Sequence, residues 1–325
     1  MVRYVMKRIL QFIPVVLFVA FLIFTILYFV PGDPARSVAG EMATEEQLAM
    51  VREQLGLNKP YIVRLGIFMR DTFLHLDFGT SYITGVKISD ELFRRLPRTL
   101  ILGLSSWLIG VVIGIPLGVT AGVNQNKFSD RICMFLALIG VSMPQFWLGL
   151  LLVLLFSVRL GWLPSSGLDT PWHYVLPAIA GAFNGLASNA RQARSAMLEV
   201  IRSDYITTAR AKGISRNKVI YKHALPNALF PIITTSSVGL AHICGGSVVI
   251  EAVFGIPGVG MYLKTAVGAR DYPVVQACVV ILAVIFAAIM LAVDILYAFI
   301  DPKIKARYAG TAKRKAGVSA DDSEK

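Results

Sequence analysis

Charged residues are scarce in this chain of 325 residues. Asp, Glu, Lys and Arg together make up 16% of it, whereas an ordinary soluble domain has about 25%. Hydrophobic residues make up 55%, and the mean hydropathy is +0.64. So few polar side chains would not cover the surface of a soluble protein, and the composition therefore predicts an integral membrane protein.

Cysteine and histidine are scarce as well. The three cysteines lie in separate apolar runs, which predicts buried thiols and no disulfide framework. The four histidines are far apart, and the chain has no phosphate-binding glycine loop, His-Glu-x-x-His or Cys-x-x-Cys motif. His242 and Cys244 are two residues apart and would point to different faces of a helix, so we expect a packed, hydrogen-bonded histidine. The sequence predicts no catalytic residue, no metal site and no cofactor of its own.

Long stretches without any charged residue are the main positive feature. A membrane-spanning helix needs about 20 mostly apolar residues, and six stretches of 21 to 27 residues meet this requirement: Ile9–Val30, Thr99–Val123, Ile132–Val158, Thr170–Ala190, Ala224–Ile250 and Tyr272–Val293. The fourth is the weakest, because polar residues dilute it. The first exceeds the apolar core of a signal peptide, about 7–15 residues, so we expect a retained anchor. The predicted fold class is all-α integral membrane with six transmembrane helices.

The distribution of charge predicts the orientation of these spans. If the N-terminus is cytoplasmic, the cytoplasmic segments hold 20 basic residues, whereas the short external loops hold three. Basic residues accumulate on the cytoplasmic side of membrane proteins, so both termini are predicted to be cytoplasmic. The net charge of +12 therefore reflects topology and not a nucleic-acid partner.

The segment between the first two spans predicts a small helical cap on the external face. Thr44 and Gln47 resemble a capping box, and Gly56 suits the end of that helix. A second helix is expected over Tyr61–Leu74, and a third from Ser89 to near Pro97. The predicted division of the chain is 1–30 (N-terminus and first span), 31–97 (external helical cap), 98–301 (five-helix core, with a cytoplasmic loop at 196–225) and 302–325 (cytoplasmic tail, disordered from about 310).

Four glycines in the second span are spaced four residues apart and form one stripe of a helix: Gly110, Gly114, Gly118 and Gly122. Such a stripe lets a neighbouring helix approach closely. Tight packing is the favoured interpretation, and a surface that slides during a conformational change is the alternative.

Polar groups at membrane depth are costly and suggest function. Asn184, Ser188 and Asn189 either line a polar path or form hydrogen bonds between helices. Asp294 either forms an ion pair with a basic residue of the cytoplasmic loop or acts in a pathway or gate. We expect Asp294→Asn to impair transport more than assembly.

The cytoplasmic loop between the fourth and fifth spans is the most informative segment. Its pattern predicts a helix, a break at Gly213 and a second helix, with Ser203 or Asp204 capping the first and Ser215 the second. Two short helices on the inner surface would offer a rigid projection to a cytoplasmic partner. A basic loop that merely follows the charge rule is the alternative.

This loop resembles the signature loop of bacterial ABC-importer permeases. Its amino-acid sequence is similar to that of the same loop in the peptide and nickel branch of these permeases. The residues that carry the resemblance, or occupy its positions, are Asp204, Tyr205, Thr207, Thr208, Ala209, Lys212, Gly213, Leu225 and Pro226. Thr207 and Thr208 stand where the general motif has Glu and Ala. Further similar segments include Pro31–Pro34, Leu76–Ser81, Ser142–Pro144, Gly161–Pro164, Pro257–Gly260 and Asp301–Lys303.

The resemblance implies a multi-pass permease of the bacterial inner membrane. Its partners would be a second, homologous permease, two cytoplasmic ATPases that bind ATP and Mg, and an external solute-binding protein. The loop around 204–213 would couple the ATPases to the spans. Peptides are the favoured substrates, and nickel or a metal chelate is the alternative within the family. An ion-coupled secondary transporter is the rival class, but it predicts internal repeats and midplane charges that this sequence does not show.

Overall fold

The computed structural model describes residues 2–40, 42–245 and 247–300. The predicted cytoplasmic tail, 302–325, and its expected disorder lie outside the described residues, as does the Asp301–Lys303 segment. Within the described ranges every regular element is a helix, and β-type pairing is limited to an isolated bridge between Thr80 and Lys87. The predicted all-helical class is therefore confirmed.

The helices follow one another along the chain with short connections. The first group is α1 (Val2–Phe29), α2 (Pro34–Ala39), α3 (Glu45–Gln54), α4 (Tyr61–Leu74), α5 (Ile88–Val123), α6 (Phe128–Ser142) and α7 (Gln145–Leu152). The second group is α8 (Val175–Ile201), α9 (Asp204–Ala211), α10 (Arg216–Lys218), α11 (Leu225–Cys244), α12 (Val248–Phe254), α13 (Val259–Ala269) and α14 (Tyr272–Ile300). Turns of π-helix at Val153–Arg159 and Val219–Ala224 extend α7 and join α10 to α11.

Within the described residues, four helices are long and apolar enough to cross a membrane, and the count rises to six if each of two bent pairs is one span. The four are Val5–Phe29, Ile88–Val123, Arg216–Cys244 and Tyr272–Ile295. The bent pairs are Phe128–Ser142 with Gln145–Arg159, at 105°, and Val248–Phe254 with Val259–Ala269, at 89°. These helices only partly match the six apolar stretches of the sequence.

The stretch Ile132–Val158, expected to form one span, is the first of these bent pairs. It breaks at Met143, whose backbone is extended, and a new helix begins after Pro144. The ring of a proline disfavours helical backbone at the preceding residue, which explains the bend. The weakest predicted span, Thr170–Ala190, falls on α8, which is not among the four apolar helices.

Two of the long helices begin well before the apolar stretches that predicted them. The helix expected to end near Pro97 continues instead through Pro97 and Pro116 to Val123, so that α5 is one rod of 36 residues, about 54 Å long. Glu91 accepts hydrogen bonds from Arg94 and Arg95 on the first turns of this rod. The stretch expected to span from Ala224 to Ile250 belongs to a helix that begins at Arg216 and ends at Cys244.

The predicted helices of the cap are present. Thr44 and Gln47 form the capping box reciprocally, and Gly56 has a φ of +65° just beyond the end of α3. The helix α4 covers Tyr61–Leu74 as expected, and its Tyr61 and Phe68 rings pack on the buried Phe24 of α1. The cap is therefore packed onto α1 by aromatic contacts.

The glycine stripe of α5 lies directly against α8. A Cβ atom at Gly114 would lie 2.5 Å from the carbonyl oxygen of Leu186, and one at Gly122 would lie 2.8 Å from Cβ of Met197. At Gly118 it would overlap the carbonyl oxygen of Ala190. The two backbones therefore touch along the stripe, and this contact fixes how α8 is placed.

Candidate coupling loop and cavity

The first helix of the coupling loop, α9, ends in a complete glycine cap. Gly213 has a φ of +76°, and its N–H donates to the carbonyl of Arg210 at 2.9 Å. The N–H of Ile214 donates to the carbonyl of Ala209 at 3.4 Å, and Ile214 packs on the cluster that contains Ala209. These two bonds and the apolar contact define a Schellman motif. The predicted helix end at Gly213 is confirmed.

Two details of the loop differ from expectation. Ser203 is at the N-cap position, but its hydroxyl donates to the carbonyl of Val200 at 2.6 Å and makes no cap bond. The second helix is not a separate surface helix. It starts after Ser215, also without a side-chain cap bond, and runs through the π-helical turn and Pro226 into α11. Because Pro226 has no N–H, it cannot donate the usual helical hydrogen bond to the preceding turn, and that turn widens to the π-helical pattern.

The coupling loop has one buried face and one exposed face. Ile206 is fully buried and Ala209 nearly so, and they belong to a cluster with Met197 of α8 and with Val219 and Ile220. The exposed polar residues of α9 and its end are Asp204, Tyr205, Thr207, Thr208, Arg210 and Lys212. The loop is thus packed onto α8 through its apolar residues, and its exposed face is polar.

A cavity of about 730 Å³ opens between α5, α6, α8 and α11. All three α8 residues considered for a polar path line it, namely Asn184, Ser188 and Asn189. Asn189 also donates to the carbonyl of Gly110 at 3.3 Å, so it combines the two roles left open by the sequence. The remaining polar lining residues are Ser106, Trp107, Ser142, Gln145, Thr235, Ser236, His242 and Ser247.

His242 differs from its expected environment. It is exposed on the cavity wall and is not packed. Spacing within the apolar stretch did not reveal which face of α11 His242 occupies. Within the described residues, no group of three or more His, Cys, Asp or Glu side chains is placed to hold a metal ion.

Asp294 lies away from the cavity. Its Oδ2 is 3.2 Å from Nη1 of Arg8, so that an ion pair joins α14 to α1. The ion-pair interpretation named a basic residue of the cytoplasmic loop as partner, whereas Arg8 belongs to the N-terminal helix α1. The structure therefore groups three of the four suggested pathway residues and separates the fourth.

Two further carboxylates fix the ends of the helix bundle. Glu251, fully buried, accepts hydrogen bonds from Thr99 Oγ1 and from the N–H of Met261, both at 2.8 Å. Asp271 accepts hydrogen bonds from the Ser81 hydroxyl and the N–H of Tyr82. From the sequence alone, Glu251 and Asp271 are only acidic residues of external segments. Most of their hydrogen-bond donors are distant along the chain and come close only in the folded structure.

At the other end of α5, Asp130 of α6 and Arg194 of α8 form a paired contact. Asp130 is buried, and it accepts from Nε of Arg194 at 2.6 Å and from Nη2 at 2.9 Å. Its Oδ2 also accepts from the N–H of Asn126 at 2.8 Å. Bidentate bonds of this kind are strong and directional, so the tip between α5 and α6 is held on α8 near the coupling loop.

A cavity beside a surface-exposed coupling loop, both built on α8, is an arrangement suited to a transport subunit, and comparison with known proteins agrees. The chain matches the family of binding-protein-dependent transport system inner membrane components over residues 114–306, and the N-terminal region of such membrane components over residues 1–103. The chain belongs to this family and is a permease subunit of an ABC importer, of the dipeptide and oligopeptide branch, in the inner membrane.

Individual relatives match along nearly the whole length. The chain is 40% identical to the dipeptide transport system permease protein DppB of Alkalihalophilus pseudofirmus, covering 94% of this chain and 100% of the relative. It is 43% identical to the glutathione transport system permease protein GsiC of Salmonella choleraesuis, covering 94% and 99%. An inward-facing structure of the MetNI methionine ABC transporter shares the fold, with a TM-score of 0.54 at 24% identity, over 65% of this chain and 96% of that one.

Proposed function

We propose that this chain forms one half of the translocation path of a peptide importer. The relatives named above are a dipeptide and a glutathione permease, and glutathione is itself a short peptide. Neither is a nickel permease, so the peptide alternative has the better support. ATP and Mg would be bound by the partner ATPases, because family membership implies separate ATPase and solute-binding subunits.

The proposed topology has six spans with both termini cytoplasmic. The four long helices, the bent pair Phe128–Ser142 with Gln145–Arg159, and α8 would form these spans, and the second bent pair would stay on the external side. The excess of basic residues on the inner side supports this orientation. In this arrangement the chain divides into a first span at 1–30, an external cap at 31–97, a core at 98–301 with the coupling loop at 196–225, and a tail at 302–325. The helix α5 crosses the boundary between cap and core.

The proposed assembly contains a second, homologous permease, two ATPases and one binding protein. The exposed face of α9 would sit in a cleft of an ATPase, and the cavity would face the second permease. The cap and the 251–271 segment would face the binding protein. Glu251 and Asp271 tie that segment to α5 and to the cap, so it would present a fixed surface.

The observation that carries this proposal is the double role of α8. Its middle, at Asn184 and Ser188, lines the cavity, and its later turns, at Met197, pack against the coupling helix. A helix is stiff along its axis, so a displacement of α9 by the ATPases would move the cavity wall. ATP binding would thereby bias the permease between two arrangements of the same helices.

Co-purification tests the assembly. A tagged form of this permease, expressed with its genomic partners, should purify with a second permease and with ATPase subunits. A secondary transporter would purify alone and accumulate substrate under an ion gradient, and that result would contradict the proposal.

The glycine cap of the coupling helix gives a first prediction. Gly213→Val should lower transport per ATP hydrolysed about fivefold or more, because a β-branched residue is strained at a φ of +76° by about 1–3 kcal/mol. No heavy atom lies within 4 Å of a Cβ at this position, so Gly213→Asn, which tolerates this conformation, is the matched control and should stay near the wild type. Normal assembly and coupling in Gly213→Val would contradict the role of the helix break.

The Arg8–Asp294 ion pair gives a second prediction. If Asp294 acts through this pair, Asp294→Asn and Arg8→Gln should lower uptake and the thermal midpoint of the complex by similar amounts. Uptake and thermal unfolding of both variants, measured side by side, check this. A loss of uptake confined to Asp294→Asn, at an unchanged midpoint, would instead support the alternative role of Asp294 in a pathway or gate.

A further inference from the structure

The wall of the cavity carries almost no ionisable groups. Of its 21 lining residues within the described part of the chain, His242 is the single one with an ionisable side chain. The other polar groups are neutral amides, hydroxyls and an indole, contributed by residues such as Gln145, Asn184 and Ser188. In a pathway of low dielectric, a fixed charge would hold substrates of opposite charge and repel those of like charge. A neutral wall imposes no such selection.

Two buried hydroxyl groups of this wall have no hydrogen-bond partner within the described residues. Ser106 is fully buried, lines the cavity and faces Gly181, where a Cβ would lie 2.6 Å from the serine Oγ. Its Oγ makes no hydrogen bond within the described structure, and neither does that of Ser247, which also lines the cavity. Buried hydroxyls are normally paired. By contrast, the Trp107 indole beside them donates to the carbonyl of Ser236 at 2.8 Å.

We propose that the cavity recognises the main chain of a short peptide and not its side chains, with Ser106 and His242 as the residues that contact it. This inference rests on the proposed peptide-import function. All short peptides share amide groups and a terminal carboxylate, whatever their side chains. An exposed imidazole can donate to the carboxylate or to a carbonyl, and the Ser106 hydroxyl can bond an amide once a ligand parts the wall.

The test uses the complete transporter in proteoliposomes, with saturating binding protein preloaded with Ala-Ala, Ala-Lys or Ala-Asp. His242→Ala and Ser106→Ala should each lower maximal uptake about fivefold to tenfold, the size expected for one lost hydrogen bond. The loss should be equal for the three peptides. His242→Gln, which retains a neutral donor, should recover most of the rate. ATPase activity stimulated by the loaded binding protein should stay near the wild type.

Ser105→Ala is the matched control for the serine. The Ser105 hydroxyl bonds to the carbonyl of Ile101 at 2.7 Å within its own helix and does not line the cavity. This variant should transport like the wild type. His242 is exposed, so truncating it should leave folding intact, and the thermal midpoint checks both substitutions.

Unchanged uptake in both His242→Ala and Ser106→Ala would overturn the inference. A loss confined to Ala-Asp or to Ala-Lys would also overturn it, because recognition would then depend on the side chain. If the wild-type complex imports none of the three dipeptides but does import another class of solute, the proposed function itself fails. That result is distinct from a failure of the variants alone.

Discussion

Gly118→Leu is expected to remove most of the folded permease from the membrane. A Cβ atom at this position would overlap the carbonyl oxygen of Ala190 and would lie 2.7 Å from Cβ of Ala193. Both neighbours belong to the rigid helix α8, so no flexible side-chain tip can move aside. Overpacking a close contact costs about 1–3 kcal/mol and sometimes more, and here the two backbones themselves would have to separate. Membrane abundance and the thermal midpoint of the purified protein measure the loss.

The loss of stability should depend on which glycine of the stripe is substituted. At Gly110 the nearest atom to a Cβ is the backbone nitrogen of Leu186 at 3.2 Å, so Gly110→Ala should be milder than Gly118→Ala. Gly268→Leu is the matched control, because Gly268 is also helical and has no heavy atom within 4 Å of its Cβ position. Wild-type abundance and thermal midpoint in Gly118→Leu would contradict the close packing of α5 and α8. Normal stability with altered transport would favour the sliding-surface alternative.

Ile206→Asp is expected to separate ATP hydrolysis from transport. Ile206 is fully buried in the cluster that joins α9 to Met197 of α8. A carboxylate cannot stay in that cluster without a partner, and deleting a buried isoleucine alone costs about 2–5 kcal/mol. The coupling helix should therefore detach from α8. We expect peptide uptake to fall at least about tenfold, while the ATPases retain their basal activity.

The control for this substitution keeps the volume of the side chain. Ile206→Leu, a change that usually costs less than about 1.5 kcal/mol, should retain most of the uptake. Parallel measurements of uptake and ATP hydrolysis on reconstituted complexes separate the two functions. Full uptake in Ile206→Asp would show that the force does not pass from α9 to α8 through this contact.

The sequence predicted the helices far better than the path of the chain through the membrane. Apolar stretches identified the membrane class, and capping residues such as Thr44 and Gly213 located helix ends accurately, because these signals are local. Hydropathy does not measure a bend, so neither the 105° angle between α6 and α7 at Pro144 nor the continuous helix through Pro97 followed from the apolar stretches. Proline has opposite outcomes at these positions because the surrounding packing decides whether the helix survives.

The candidate site was only partly predictable. Motif spacing located the coupling loop, and polar residues at membrane depth identified Asn184, Ser188 and Asn189 as candidates for a polar path. His242 was expected to be packed but is exposed on the cavity wall. Ser106 and Glu251 were not assigned, because their roles depend on helices distant in sequence. Ser106 faces Gly181 of α8, and the Glu251 carboxylate meets Thr99 of α5. The spacing of residues along the chain does not predict contacts between distant helices.

Transport by the reconstituted complex is the most direct test of the central claim. Proteoliposomes containing this permease, its partner permease and the ATPases should accumulate radiolabelled Ala-Ala only when ATP and loaded binding protein are both supplied. Accumulation should stop when either is withheld. Uptake by this permease alone, driven by an ion gradient and independent of ATP, would contradict the account.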